Sequence, residues 1–180
     1  MVQNRVYIAT SLDGYIADAN GKVDFLDTFP FPEGNDMGYA EFMSQTDAIL
    51  MGRRSFETVL GFGMAWPYQK PVFVWSQTLS VVPEPLLQSN VFLVRGEVSE
   101  VLRTIHAQGF TRLYIDGGQV IQSFLRADLI DDMIITTVPV LLGSGIPLFG
   151  EVSRMISFRC VRSETFSNGL VQCHFARHEH

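Results

Sequence analysis

The sequence predicts a single α/β domain: a sandwich on a mixed, mostly parallel sheet, closed by a C-terminal antiparallel hairpin. Three observations carry this. Short apolar runs alternate along the chain with stretches of helical periodicity, the pattern of successive strand–helix units. Two of the runs stop at glycine and pass at once into a helix, at Ile49-Leu50-Met51-Gly52-Arg53-Arg54-Ser55 and at Leu113-Tyr114-Ile115-Asp116-Gly117-Gly118-Gln119. Finally, Ser157–Phe166 and Leu170–Arg177 alternate in polarity around Asn168-Gly169, a two-residue hairpin signal.

In chain order, Arg5–Thr10 reads as the opening strand and Leu12–Asp24, rich in Gly, Asp and Asn, as a long loop. Met37, Tyr39, Ala40, Phe42 and Met43 share one helical face and lead to a strand over Ala48–Met51. Phe56, Val59 and Leu60 continue as a helix, and Gly61–Pro71 as a loop. Val72–Trp75 and Val91–Val94 have the unbroken apolarity of buried parallel strands. Val98, Val101, Leu102 and Ile105 define a helix stopped by Gly109. The strand Leu113–Ile115 precedes a helix carrying Val120, Ile121, Phe124 and Leu125. Met133–Leu142 reads as a central strand entering an irregular Gly143-Ser144-Gly145 turn.

The chain of 180 residues reads as one domain over 1–180, large enough for a core without covalent staples. A hydrophobic share of 47% against 18% charged excludes a disordered chain, and a net charge of −6 argues against a nucleic-acid surface. Local arginine pairs then point to ligand contacts rather than to a basic field. The predicted hairpin register puts Cys160 opposite Arg177, too far from Cys173 for a disulfide. Two free thiols, no signal-peptide pattern and no long apolar run imply a cytoplasmic protein with no membrane partner. His106, His174, His178 and His180 form no metal-ligand spacing with cysteine, so no metal is expected.

In open α/β sheets ligands sit beyond the carboxyl ends of strands. The groups falling there are Gly52, Arg53, Arg54, Ser55, Ser76, Arg95, Asp116, Gly117, Gly118 and Gln119. A strand ending on glycine before a helix aims free N–H groups and a positive helix end at one spot, where phosphate binds. Guanidinium forks and hydroxyls add further donors. The pattern suggests pyrophosphate at Gly117-Gly118 and a monophosphate near Arg53, Arg54, Ser55 and Ser76. NADPH, with its 2′-phosphate, fits that division better than NADH or FAD. The G-x-G-x-x-G fingerprint is missing, which argues against a Rossmann domain.

These motifs resemble a known superfamily. Gly52-Arg53-Arg54-Ser55-Phe56-Glu57 is similar to the G-R-x-[ST]-[FW]-E motif of dihydrofolate reductases, and Ile115–Val120 to their glycine-rich cofactor motif. Ser11-Leu12-Asp13-Gly14-Tyr15-Ile16-Ala17 resembles instead the reductase domain of bifunctional riboflavin-biosynthesis deaminase-reductases. So does Pro139–Phe149, and together the matches run from about Val6 to Phe149. The resemblance implies a dihydrofolate reductase-like three-layer α/β/α sandwich, NADPH as hydride donor and a small heterocyclic substrate. The reaction it implies first is reduction of 5-amino-6-(5-phosphoribosylamino)uracil. A dihydrofolate or pterin reductase, or a non-catalytic nucleotide-binding sensor, are the alternatives.

Carried over residue by residue, Ala9 and Ile16 flank the nicotinamide, and Arg53, Arg54, Ser55 and Ser76 hold the 2′-phosphate. Arg95 lies near the adenine, and Gly117, Gly118, Gln119, Val120 and Ile121 cradle the pyrophosphate. The resemblance also implies a cis peptide bond at Asp116-Gly117. Two carboxylates are the catalytic candidates. Asp116 precedes the glycine motif, where the riboflavin reductases keep an acidic residue that contacts substrate; it could equally fix the turn. Asp36 lies sixteen residues before Gly52, at the folate-carboxylate position; its alternative role is the N-cap of the Met37–Thr46 helix. The riboflavin branch's D-D-P segment has no counterpart here, which puts a phosphoribosyl substrate in question. Family habit and the apolar Met133–Leu142 run suggest a homodimer.

Overall fold

The structure, a computed structural model, describes residues 2–29 and 34–178. Among these the order of elements is β1 (Gln3–Ser11), β2 (Tyr15–Ala17), α1 (Tyr39–Ser44), β3 (Ala48–Gly52), α2 (Arg53–Gly61), β4 (Val72–Trp75) and β5 (Val91–Val94). There follow α3 (Val98–His106), β6 (Arg112–Asp116), α4 (Gly118–Arg126), β7 (Asp132–Val138), β8 (Ile146–Pro147), β9 (Phe158–Thr165) and β10 (Val171–Arg177). Eight strands make one sheet in the order β5-β4-β3-β6-β1-β7-β10-β9, while β2 and β8 pair separately. The six strands from β5 to β7 are parallel; β10 runs against β7, and β9 against β10.

Side-chain alternation explains the layers. In β3, Ala48 and Leu50 enter one core, and Ile49 and Met51 the other, with all four fully buried. β6 divides in the same way, Leu113 and Ile115 to one face and Tyr114 to its opposite. The first face is covered by α3 and α4 through Val101, Ile105, Ile121 and Phe124. The second is covered by α1 and α2 through Phe42 and Phe56. Each such side chain contributes about 1.5–3 kcal/mol of burial free energy. This is the three-layer sandwich that the sequence predicts.

Helix starts differ in a way that matters for function. α3 closes its own N-terminus with a capping box between Glu97 and Glu100. α2 and α4 begin on Gly52 and Gly117 with no side-chain cap. Their first N–H groups have no side-chain acceptor among the described residues.

Four details depart from expectation. The Leu12–Asp24 loop contains β2, which pairs with β8. The strand within Met133–Leu142 stops at Val138, because Pro139 has no N–H to continue the ladder and Val140 N–H turns back to the Val138 carbonyl at 2.8 Å. The helix expected from Met37 starts at Tyr39, since Met37 and Gly38 both have positive φ. The hairpin turn has three residues, not two: Phe166 N–H bonds the Leu170 carbonyl at 2.8 Å, and Gly169 takes φ +89°.

That one-residue shift, with an irregularity at His174/Phe175, sets Cys160 opposite Phe175 rather than Arg177. The thiols are therefore closer than the expected register allowed: burial and the Cys160 thiol both push the Cys173 thiol above its ordinary range. Both remain free.

Candidate cofactor and substrate site

β3, β4 and β6 bring their carboxyl ends together in register, with Met51 beside both Val74 and Asp116, and Gly52 beside Trp75. Parallel pairing thus sets the two glycine junctions side by side. An ideal Cβ on Gly52 would stand 3.2 Å from Val120 Cγ2, and one on Gly118 3.0 Å from Ile16 Cδ1. Gly117 takes φ +87°, and a Cβ there would meet Ser55 Oγ at 2.3 Å. Larger residues would fill the cradle. Among the described residues every peptide bond is trans, contrary to the cis bond expected at Asp116-Gly117. The positive φ of Gly117 makes the turn instead.

Beside the junctions lies a cavity of about 730 Å³ whose walls include Gly52, Arg53, Arg54, Ser76, Gln119 and Val120. Six residues singled out from the sequence therefore share one space. Sequence reasoning missed Thr78, Ser123 and Arg126, which also line it. The signal for the last two was present: Gln119, Ser123 and Arg126 recur at helical spacing on one face of α4. Arg53 donates to Thr78 Oγ1 at 3.2 Å and pairs with Glu57 one turn on. Arg126 donates to Ser123 Oγ at 3.0 Å. Buried Ser76 Oγ accepts the N–H groups of Thr78 and Leu79 at 3.2 and 2.9 Å, which shapes the loop after β4.

Other candidates fall elsewhere. Arg95 donates to the Leu79 carbonyl at 2.8 Å and is not among the cavity walls. Ser55 faces Gly117, and the Ile121 side chain is fully buried in the core. Ala9 lies in β1 beside Thr136 of β7, and Ile16 packs over Gly118. Asp36 is exposed, and its carboxylate accepts the N–H groups of Gly38 and Ala40 at 3.0 and 2.7 Å, in a capping role. Those bonds hold its pKa below the usual carboxylate range, so it stays ionised at neutral pH.

Asp116 is the opposite case. Burial drives its pKa up to about 6, although the Gly117 N–H and the Tyr114 hydroxyl, 3.4 Å from Oδ1, both favour the ionised form. Tyr114 O–H also donates to the Tyr7 carbonyl at 2.8 Å. A carboxyl titrating near neutrality at a strand end can take and return a proton.

Guanidiniums, hydroxyls, two uncapped helix starts and close-approach glycines fit a phosphate-rich dinucleotide. Together with the sheet order they define a dihydrofolate reductase-like reductase domain. The chain belongs to the RibD C-terminal domain family, whose pattern matches residues 5–172. It is 47% identical to a candidate riboflavin biosynthesis protein of Shewanella sp. PV-4, with a TM-score of 0.93 over 99% of this chain and 100% of that one. It is 34% identical over 175 residues, 96% of each chain, to the uncharacterized protein YwjB of Bacillus subtilis (strain 168). A pyrimidine reductase-like protein of Corynebacterium diphtheriae, 16% identical, shares the fold with a TM-score of 0.72 over 99% of this chain and 93% of its own. Among the described residues, no helix is long and apolar enough to cross a membrane.

Proposed function

We propose that this protein is an NADPH-dependent reductase acting on a pyrimidinone-type heterocycle or on a ribose attached to it. Reduction of an aminouracil, as in riboflavin biosynthesis, is the nearest precedent. NADPH would supply the hydride. Arg53, Arg54, Arg126 and Ser76 would hold its 2′-phosphate end, and the start of α4 its pyrophosphate. Ala9 and Ile16 would flank the nicotinamide, and Asp116 would accept ring N–H groups and exchange a proton with the substrate.

The observation that carries this reading is the continuity of the site. The cavity bearing three guanidiniums adjoins, through Gly52 and the α4 start, a carboxyl whose pKa is about 6. The test is titration of the protein with NADPH and NADH, followed through Trp75, which lines the cavity. NADPH should bind at least about tenfold tighter, one charge-assisted contact's worth; equal affinities would remove the 2′-phosphate assignment. Loss of NADPH absorbance should then follow addition of an aminouracil substrate. Oxidation with dihydrofolate, blocked by an antifolate, would point to a pterin reductase. Binding without turnover on any ring would point to a sensor.

A further inference from the structure

We infer that Asp13 is a positioning residue: its carboxylate clasps the two loops at the root of the β2–β8 ribbon and so holds that ribbon over the start of α4. The clasp itself rests on hydrogen bonds within the chain. Its bearing on the cofactor rests on the reductase reading, which puts the nicotinamide and pyrophosphate there.

The ribbon is too small to hold itself. β2 has three residues and β8 two, and they pair at Tyr15–Pro147 and Ala17–Ile146 with an irregularity between. An isolated two-stranded ribbon is marginal at best in water. This one joins the main sheet through residues 12–14 after β1 and residues 139–145 after β7. The second connection ends on Gly143 and Gly145, both with positive φ. Its glycines bring no side chains to fix where β8 returns.

Asp13 ties both connections. Its Oδ1 accepts the Ser11 hydroxyl at 2.6 Å and the Leu142 N–H at 3.1 Å, and its Oδ2 accepts the Gly143 N–H at 2.8 Å. Buried Ser11 Oγ in turn accepts the N–H of Tyr15, the first residue of β2, at 2.9 Å. The Leu148 N–H, just past β8, donates to the Gly14 carbonyl at 2.9 Å. Bonds to an ionised acceptor are the stronger kind. The Ser11 hydroxyl and the two N–H groups hold the Asp13 pKa below the usual carboxylate range, so the clasp stays charged at neutral pH.

What the clasp positions is the cover of the α4 start. An ideal Cβ on Gly118 would stand 3.0 Å from Ile16 Cδ1, 3.2 Å from the Pro147 carbonyl oxygen and 3.5 Å from Ile146 Cγ2. All three belong to the ribbon. Gln122, one turn further along α4, donates to the same Pro147 carbonyl at 2.9 Å. No ribbon residue is among the walls of the cavity that holds Arg53, Arg54 and Arg126. Loosening the ribbon should therefore disturb one half of a bound dinucleotide and spare the other.

The test has two parts. In hydrogen exchange on ligand-free protein, Asp13→Ala should speed exchange of the Leu148 amide at least about tenfold and leave the α3 amides unchanged. Equal rates at Leu148 overturn the clasp, whatever the cofactor. Fluorescence titrations then compare NADPH with 2′,5′-ADP, which lacks the nicotinamide half. Asp13→Ala should weaken NADPH about tenfold and 2′,5′-ADP less than about twofold. Asp13→Asn keeps one oxygen for Ser11 and Leu142 and should fall between, which preserves the test if the alanine variant does not fold. Ser11→Ala should show the same split between the two ligands. Equal losses for both ligands, or none for either, overturn the positioning role. Failure of the wild type to bind NADPH would instead count against the reductase reading, and the exchange rates alone would then decide the clasp.

Discussion

The hydroxyl of Ser55, at the start of α2, occupies the space that a side chain on Gly117 would need: a Cβ there would stand 2.3 Å from Ser55 Oγ. The two glycine junctions are thus one interlocked structure. Alanine at Gly117 would also have to adopt φ +87°. Gly117→Ala should lower stability by about 2–3 kcal/mol and weaken NADPH binding, as urea titration and fluorescence would measure. Adding Ser55→Ala should recover part of the loss, since it removes the clash but not the backbone strain. Simple additivity of the two changes would show that these residues do not press on each other.

Asp116 predicts a trade of stability for function. Its pKa in the folded protein, about 6, exceeds the ordinary carboxylate value. A raised carboxyl contributes stability when protonated, fully below the unfolded value, and that contribution is lost as pH rises through 6. Asp116→Asn should therefore be more stable than wild type above pH 6, by on the order of 2 kcal/mol, with the gap closing toward pH 4. Turnover should fall and lose its inflection near pH 6, while NADPH affinity holds. Turnover equal to wild type would remove Asp116 from the chemistry.

The parts of the fold legible in the sequence are those set by local pattern. Ile49 and Met51 alternate with Ala48 and Leu50, and both glycine junctions declare themselves by residue type alone. The hairpin register was not legible, because Asn168-Gly169 permits either turn. The burial of Phe166 and Leu170 against Val138 and Met37 selects the longer one. Arg53 and Arg54 were visible beside a glycine, whereas Arg126 reaches the same cavity from the far end of α4. Tyr39 and Tyr68 join Tyr114 and Met51 in one cluster only through tertiary packing, which no spacing in the chain encodes.

The arginines predict a graded loss of cofactor selectivity. Arg53→Gln, Arg54→Gln and Arg126→Gln should each weaken NADPH about tenfold at low salt and NADH much less, after discounting for partial solvent exposure. Added salt should shrink the difference. Arg95→Gln should leave both affinities unchanged, because that guanidinium serves the Leu79 carbonyl. Parallel titrations with 2′,5′-ADP and 5′-AMP check the assignment. An Arg126 variant that loses both fragments equally would put its contact elsewhere than on the 2′-phosphate.

Asp36 supplies the contrast to Asp116. Its carboxylate is engaged by the Gly38 and Ala40 N–H groups, which hold its pKa below the usual range. A depressed carboxylate adds stability above the unfolded pKa, and that contribution disappears as pH falls through the folded value. Asp36→Ala should accordingly lower the thermal midpoint at neutral pH, and Asp36→Asn, whose amide oxygen still accepts a backbone N–H, should lower it less. Neither change should alter the pH profile of turnover once the protein is folded, because a group ionised throughout the working range has no proton to give. If Asp36→Asn kept its thermal midpoint and lost turnover, the proton donor would lie at the start of α1 rather than at the end of β6.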